Sequence, residues 1–151
     1  MKKNSLTIQE NLIGVWNLVS YKVSNDSGYV TYPMGEDASG IAIYTAEGYV
    51  SVQIMRLGRP AYGSGDLHKG PQNALAAAAR GYLAYSGSYR VNEEENMVEH
   101  HMSVSLNPNW LGDTQPRYVK FEGDILTINS QPVFILGEEQ NTQLVWRKIS
   151  D

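Results

Sequence analysis

The sequence predicts an all-β fold, an antiparallel up-and-down closed barrel of about 8–10 strands, with one mid-chain helix near residues 71–83. Three observations carry this. Ten tyrosines, with many valines and isoleucines, fall in short runs separated by Gly, Asn, Asp and Pro. The connections between runs are mostly short and polar, which suits sequential neighbours rather than crossovers. A single alanine-rich stretch breaks the pattern. Closure is the favoured end state because it leaves no exposed sheet edge and encloses room for side chains or one small ligand.

The first strand is read at Val15–Val23, with Val15, Val19, Tyr21 and Val23 on one parity. A turn over Asn25–Gly28 leads to a short strand at Tyr29–Tyr32, which Pro33 stops. Gly40–Tyr44 and Tyr49–Met55 flank Thr45-Ala46-Glu47-Gly48, a hairpin connection whose glycine is placed for a positive φ. From Arg56 to Gly70 the chain is too rich in Gly and Pro to continue a sheet. The helix follows in PQNALAAAARGYLAY: Pro71 suits a first turn, and Leu75, Ala78, Ala79 and Tyr82 form an apolar stripe at i, i+3, i+4 and i+7. Further strands are expected at Tyr85–Val91, Met97–Leu106, Arg117–Phe121, Ile125–Asn129 and Gln143–Ile149.

Totals exclude several function classes. At 151 residues one domain, 1–151, is expected, and a chain of this length buries roughly 70% of its unfolded surface, enough for a core without staples. A net charge of −4 argues against a nucleic-acid groove or binding to an anionic membrane surface. The absence of cysteine removes disulfides, thiolate nucleophiles and zinc–thiolate sites. The first residues, MKKNSLTIQENLIGVW, have no apolar core of a secretion signal, so a cytoplasmic location is expected; the Asn25-Asp26-Ser27 sequon then means little.

Gly14 and Trp16 open the first run in LIGVWNLVSY, and LVWRKI ends the chain with Trp146 and Arg147. In a closed meander the terminal strands are neighbours, so the glycine makes room, Trp16 plugs one barrel end, and Arg147 is expected to cap its indole. With these residues the chain resembles the lipocalin and calycin barrels, in which a GxW on the first strand and a late arginine close one end. More specifically it is similar to the small bacterial and fungal lipocalin-like domain family. The matching segments are LIGVWNLVSY, YPMGEDASGIAIYTAEGYVSVQI, AYSGSYRV, VEHHMSVSLNPNWLG and RYVKFEGDILTI, which run nearly end to end. The helix between the fourth and fifth strands departs from the broader lipocalin pattern. The resemblance implies a barrel and a pocket, and no assigned reaction.

In EHHMSVSL, alternation places His100 inward with Val98 and Met102, and His101 in solvent. Tyr85, Gly87 and Tyr89 share the inward parity, two phenols separated by a glycine that frees space, and Tyr44 sits near a hairpin end. Arg117 alternates with Val119 and Phe121; turned inward it needs a carboxylate, carbonyls or an anionic ligand. Trp110 and Leu111, in NPNWLG, have two readings, a lid on the barrel mouth or the packing of a tight turn, and the turn is the slightly favoured one. Tyr44, Tyr85, Tyr89, His100, Trp110 and Arg117 are thus the candidate ligand-binding residues, a polar patch in an apolar cavity. The bland alternatives are a core histidine bonded to tyrosine, aromatic rings that only fill a core, and an arginine that snorkels to water.

No metal or cofactor is expected: His100 and His101 point to opposite faces, His68 lies in a loop, and there is no HxH, HExxH, phosphate loop, dinucleotide fingerprint or GxSxG elbow. A single inward histidine has no context that demands haem iron. The first functional reading is a barrel that binds one small hydrophobic or amphipathic ligand, with His100, Tyr85, Tyr89 and Arg117 orienting its polar end. The second is a cofactor-free isomerase or cyclase acting on a polyketide- or terpenoid-like substrate, with His100 and a tyrosine moving a proton. The third is a filled barrel acting through its surface as a homodimer.

Overall fold

In the computed structural model, which describes residues 6–135 and 137–150, alternating residues build the strands and the barrel closes on itself. The strands are β1 (Gly14–Ser24), β2 (Val30–Thr31), β3 (Ser39–Tyr44), β4 (Tyr49–Met55), β5 (Tyr82–Asn92), β6 (Met97–His101), β7 (Val104–Ser105), β8 (Thr114–Glu122), β9 (Ile125–Ser130), β10 (Val133–Ile135) and β11 (Glu138–Ser150). Around the barrel the order is β1, β3, β4, β5, β6, β8, β9, β11, and β11 pairs antiparallel with β1 to complete the ring. β2, β7 and β10 are short additions on β1, β5 and β11. The expected β3–β4 hairpin forms with Gly48 at φ +94°.

The period-2 expectation holds on most strands and fails instructively on β1. Val50, Val52 and Ile54 of β4 point in, as do Val98 and His100 of β6, Leu126 and Ile128 of β9, and Trp146 of β11. In β1 a register shift between Leu18 and Ser20 changes the parity. Trp16 before it and Tyr21 and Val23 after it are all buried, whereas Val19 is exposed. A bulge of this kind swaps faces within one strand, so the predicted Val15–Val19–Tyr21–Val23 face does not exist as a unit.

Three other elements depart from expectation. The run Met97–Leu106 divides into β6 and β7, because the chain at His101 crosses directly over Gly87 of β5. A Cβ at Gly87 would sit 1.7 Å from the His101 carbonyl oxygen. Glycine is what permits that approach. The helix α2 (Gln72–Arg80) forms, but its buried residue is Ala74 and Ala79 is exposed, so the predicted stripe is rotated. A short helix α1 (Ile8–Leu12) precedes β1, held by a capping box in which Glu10 N–H donates to Thr7 Oγ1 at 3.1 Å and Thr7 N–H to Glu10 Oε1 at 2.9 Å. Its T-x-x-E signature is legible in the sequence.

The closed end is built from large apolar groups. Leu12, Trp16, Val98, Leu126 and Trp146 are all at most 2% exposed. The Trp16 indole N–H donates to the Leu12 carbonyl at 2.9 Å, which answers the polar need of a buried tryptophan. The cation over its ring is Lys148, whose Nζ lies 5.2 Å from the ring centre and donates to the Asn11 carbonyl at 3.1 Å. Arg147, the expected cap, instead points outward and lies 3.8 Å from Asp124. Alternation explains the correction: Trp146 is inward, so Arg147 faces solvent and Lys148 returns to the inner face. Among the described residues no helix is long and apolar enough to cross a membrane.

Candidate functional site

Above the closed end the barrel holds a layer of polar side chains, and above that an open cavity. The cavity has a volume of about 500 Å³. Tyr21, Val52, Ile54, Leu83 and Leu144 give it apolar walls from β1, β4, β5 and β11. Tyr85, Gln115 and Arg117 supply a polar end, and Asn107, Asn109, Trp110, Ser130, Phe134 and Thr142 complete the lining. The hydroxyl of Thr142 is buried and has no hydrogen-bond partner among the described residues. Trp110 stands on a short 3-10 turn (Pro108–Trp110) fixed by Asn107, whose side-chain oxygen accepts from Asn109 N–H at 3.0 Å. Its ring meets Tyr85 edge-on at 6.1 Å. A second groove of about 330 Å³, between the end of α2 and this turn, shares Leu83, Asn107 and Trp110 with the cavity.

Arg117 is the unusual group. Its residue is 8% exposed, and among the described residues no carboxylate comes within ion-pairing distance of it. Nη1 donates to the Pro116 carbonyl at 3.1 Å and Nη2 to Gln115 Oε1 at 3.0 Å. A guanidinium taken out of water with only neutral acceptors costs several kcal/mol, partly offset by about 1.5–3 kcal/mol per charged hydrogen bond. The cation therefore faces the cavity incompletely compensated.

Beneath the floor lies a chain of three side chains. Tyr85 Oη is 2.7 Å from His100 Nδ1, and Tyr44 Oη is 2.8 Å from Nε2. Burial, followed by the nearby Arg117 charge, holds the His100 imidazolium form well out of reach, so its pKa lies well below 6.5 and the ring is neutral. Burial likewise raises the pKa values of Tyr44 and Tyr85, against a smaller opposing effect of Arg117, so both stay protonated. A space of about 20 Å³, roughly one water, is bordered by Tyr44, Tyr85, His100 and Arg117.

The six candidate residues therefore divide by depth. Tyr85, Trp110 and Arg117 line the cavity. Tyr44 and His100 stand behind Tyr85 and do not line it. Tyr89 belongs to the closed end: its hydroxyl donates to the Thr45 carbonyl at 2.7 Å and accepts from Gln9 Nε2 at 2.9 Å, while its ring packs edge-on against Tyr44 at 5.1 Å. Leu111, paired with Trp110 as a lid, is exposed. Both His100 nitrogens are taken by tyrosines, so the proton transfer that an isomerase or cyclase would ask of it has no observation behind it.

Sequence reasoning missed Gln115 and Thr142, although both share the inward parity of their strands with Arg117 and Trp146; the expected strands start at Arg117 and Gln143, whereas β8 starts at Thr114 and β11 at Glu138. Tyr21 was assigned a face that the β1 bulge redistributes.

Two comparisons bear on this geometry. The family model described as a lipocalin-like domain matches residues 13–149. The 4'-hydroxy-3'-methoxypropiophenone carrier protein of Aspergillus oryzae is 41% identical over 107 residues, which cover 66% of this chain and 96% of that protein. Both support small-molecule binding by the barrel.

Proposed function

The chain belongs to the lipocalin-like domain family, and on that premise we propose that it is a carrier that binds one small amphipathic aromatic molecule, of the aryl ketone class, inside the barrel. The observation that carries this is a cavity of about 500 Å³ with apolar walls and a polar end made by Tyr85, Gln115 and Arg117. That is the constitution of a small-molecule site: apolar surface for affinity, and a few fixed polar groups for orientation. The ring of the ligand packs between the aliphatic walls and Trp110, and its oxygen-bearing end meets Arg117 and Tyr85. The relative's name supplies the class, because a hydroxy-methoxy aryl ketone is flat, mostly apolar and rich in oxygen acceptors.

The test is titration of the purified protein with 4'-hydroxy-3'-methoxypropiophenone, read by calorimetry and by tryptophan fluorescence. Trp16 and Trp146 sit at the closed end and Trp110 at the cavity, so binding should quench emission in the native protein and much less in Trp110→Phe. Saturable one-to-one binding with a Trp110-dependent signal is expected. No heat and no quenching, with this ketone or with small aromatic analogues, would overturn the reading.

A further inference from the structure

The direction of the Tyr44–His100–Tyr85 chain can be worked out from hydrogen-bond accounting. A neutral imidazole donates at one nitrogen and accepts at the other, so the chain runs one way or the other. Tyr44 decides which. It is 2% exposed, and His100 Nε2 is the one hydrogen-bond partner of its hydroxyl among the described residues. With the proton on Nε2, the Tyr44 O–H would have no protein acceptor and would depend on a water in the 20 Å³ space beside it, whereas the opposite tautomer satisfies it directly. The satisfied arrangement has Tyr44 O–H donating to Nε2 and Nδ1–H donating to Tyr85 Oη. The proton of Tyr85 then points onward, and Tyr85 lines the cavity beside Arg117.

We infer that the cavity floor is an anion socket that takes an acidic phenol as its phenolate. The phenolate oxygen accepts from Tyr85 O–H and from the Arg117 guanidinium, and Tyr44 and His100 are positioning residues that keep Tyr85 a donor. This rests on the binding function proposed above and adds the charge state of the ligand. Three features favour it. Arg117 is a buried cation with no carboxylate partner among the described residues, so an anion completes its compensation. Its two Nη groups already serve Pro116 and Gln115. That suits a single anionic oxygen better than a carboxylate that needs a free two-pronged fork. Tyr85 remains protonated because burial disfavours its anion, so it stays a donor rather than a competing charge. A phenol with an acyl group in conjugation is itself more acidic than tyrosine, because the carbonyl shares the charge.

The experiment compares 4'-hydroxypropiophenone with its 4'-methyl ether, by calorimetry and by the ultraviolet spectrum of the bound phenol over a pH series. The expected result is a phenolate spectrum for the bound ligand at a pH where the free phenol is mostly neutral. The pKa of the phenol should fall on binding by a unit or more, and the ether, which cannot ionise, should bind about tenfold or more weakly than the phenolate. Arg117→Met should return the bound phenol to its free pKa. Tyr44→Phe, which never touches the ligand, should reverse about half of the shift, and ether affinity in that variant should stay within about threefold of the native protein, as a check that the cavity is intact. A bound phenol that titrates at its free pKa, or an ether that binds as well as the phenol, overturns the socket and leaves the carrier function standing. An unchanged shift in Tyr44→Phe overturns the positioning role. Failure of both ligands to bind overturns the carrier function and the socket with it.

Discussion

Replacing Arg117 by methionine should leave the ligand-free protein as stable as before, or more so, even though the residue is almost entirely buried. The side chain donates to Pro116 O and Gln115 Oε1, also interacts with the Tyr85 hydroxyl, and meets no carboxylate among the described residues. At about 1.5–3 kcal/mol each, two charged hydrogen bonds return some 3–6 kcal/mol, while desolvation of a buried ion costs several kcal/mol. The terms nearly cancel. Methionine keeps the apolar stem and removes the charge, and the acceptors it frees lie on half-buried residues next to the cavity, where water reaches them. The expected change in unfolding free energy runs from about 0 to +2 kcal/mol, which for a domain of this size raises Tm by up to about 8 °C. Urea unfolding and calorimetry of the ligand-free protein measure it. In the same variant, affinity for an acidic aryl ketone should fall by about 2 kcal/mol or more, some thirtyfold. A loss of more than 2 kcal/mol in the ligand-free protein would refute the reasoning, because Arg117 would then be a brace for the sheet rather than a receptor for a ligand.

Two further outcomes follow from the same structure. His100 has a folded-state pKa well below its unfolded value of 6.5, so the unfolded chain takes up a proton first as pH falls. Its stabilising contribution is complete above about pH 6.5 and declines below, with a slope approaching 1.4 kcal/mol per pH unit; His100→Gln should lose close to one proton of that slope in urea titrations from pH 7 to 5, and equal slopes would contradict its buried neutral state. At the closed end, Lys148→Met should cost about 1–2 kcal/mol through the lost contacts with Trp16 and Asn11, and Arg147→Met less than about 0.5 kcal/mol, since its pair with Asp124 is largely exposed. Thermal unfolding of the two variants in the opposite order would sink that assignment.

The barrel was legible in the sequence because period-2 alternation and short polar connections are local signals, and closure follows from them. Alternation also put His100, Tyr85 and Arg117 on the inner face correctly. It could not rank them by depth. Whether an inward side chain reaches the cavity or the layer beneath depends on strand stagger around the ring, which no single strand records. Tyr89 and Tyr85 lie on the same face of β5, yet one closes the barrel end and the other lines the cavity. The Arg147 error was different in kind, since the parity of Trp146 already excluded it. The β1 bulge was not legible at all: its effect is a face change between Trp16 and Tyr21, and nothing in LIGVWNLVSY marks the extra residue.

The interior is divided along its length into tiers with opposed energetics, and the division explains where the protein can place a site. At the closed end, two tryptophans and several aliphatic residues bury large apolar area, at roughly 1.5–3 kcal/mol for each side chain, and the Trp16 indole N–H is answered locally by the Leu12 carbonyl. The middle tier gives up part of that stability. A neutral histidine, two buried phenols and an arginine without a carboxylate partner among the described residues fill volume that aliphatic side chains would fill at lower cost. Among the described residues the buried polar side chains His100 and Arg117 and the phenols of Tyr44 and Tyr85 meet in this one tier, and rules of core packing that break together are the expected mark of a functional site. A fold without the apolar plug would not tolerate the polar floor. A fold without the polar floor would hold a small aromatic molecule with little to fix its orientation, since apolar walls attract any flat ring while the polar end made by Tyr85, Gln115 and Arg117 distinguishes one end of it from the other.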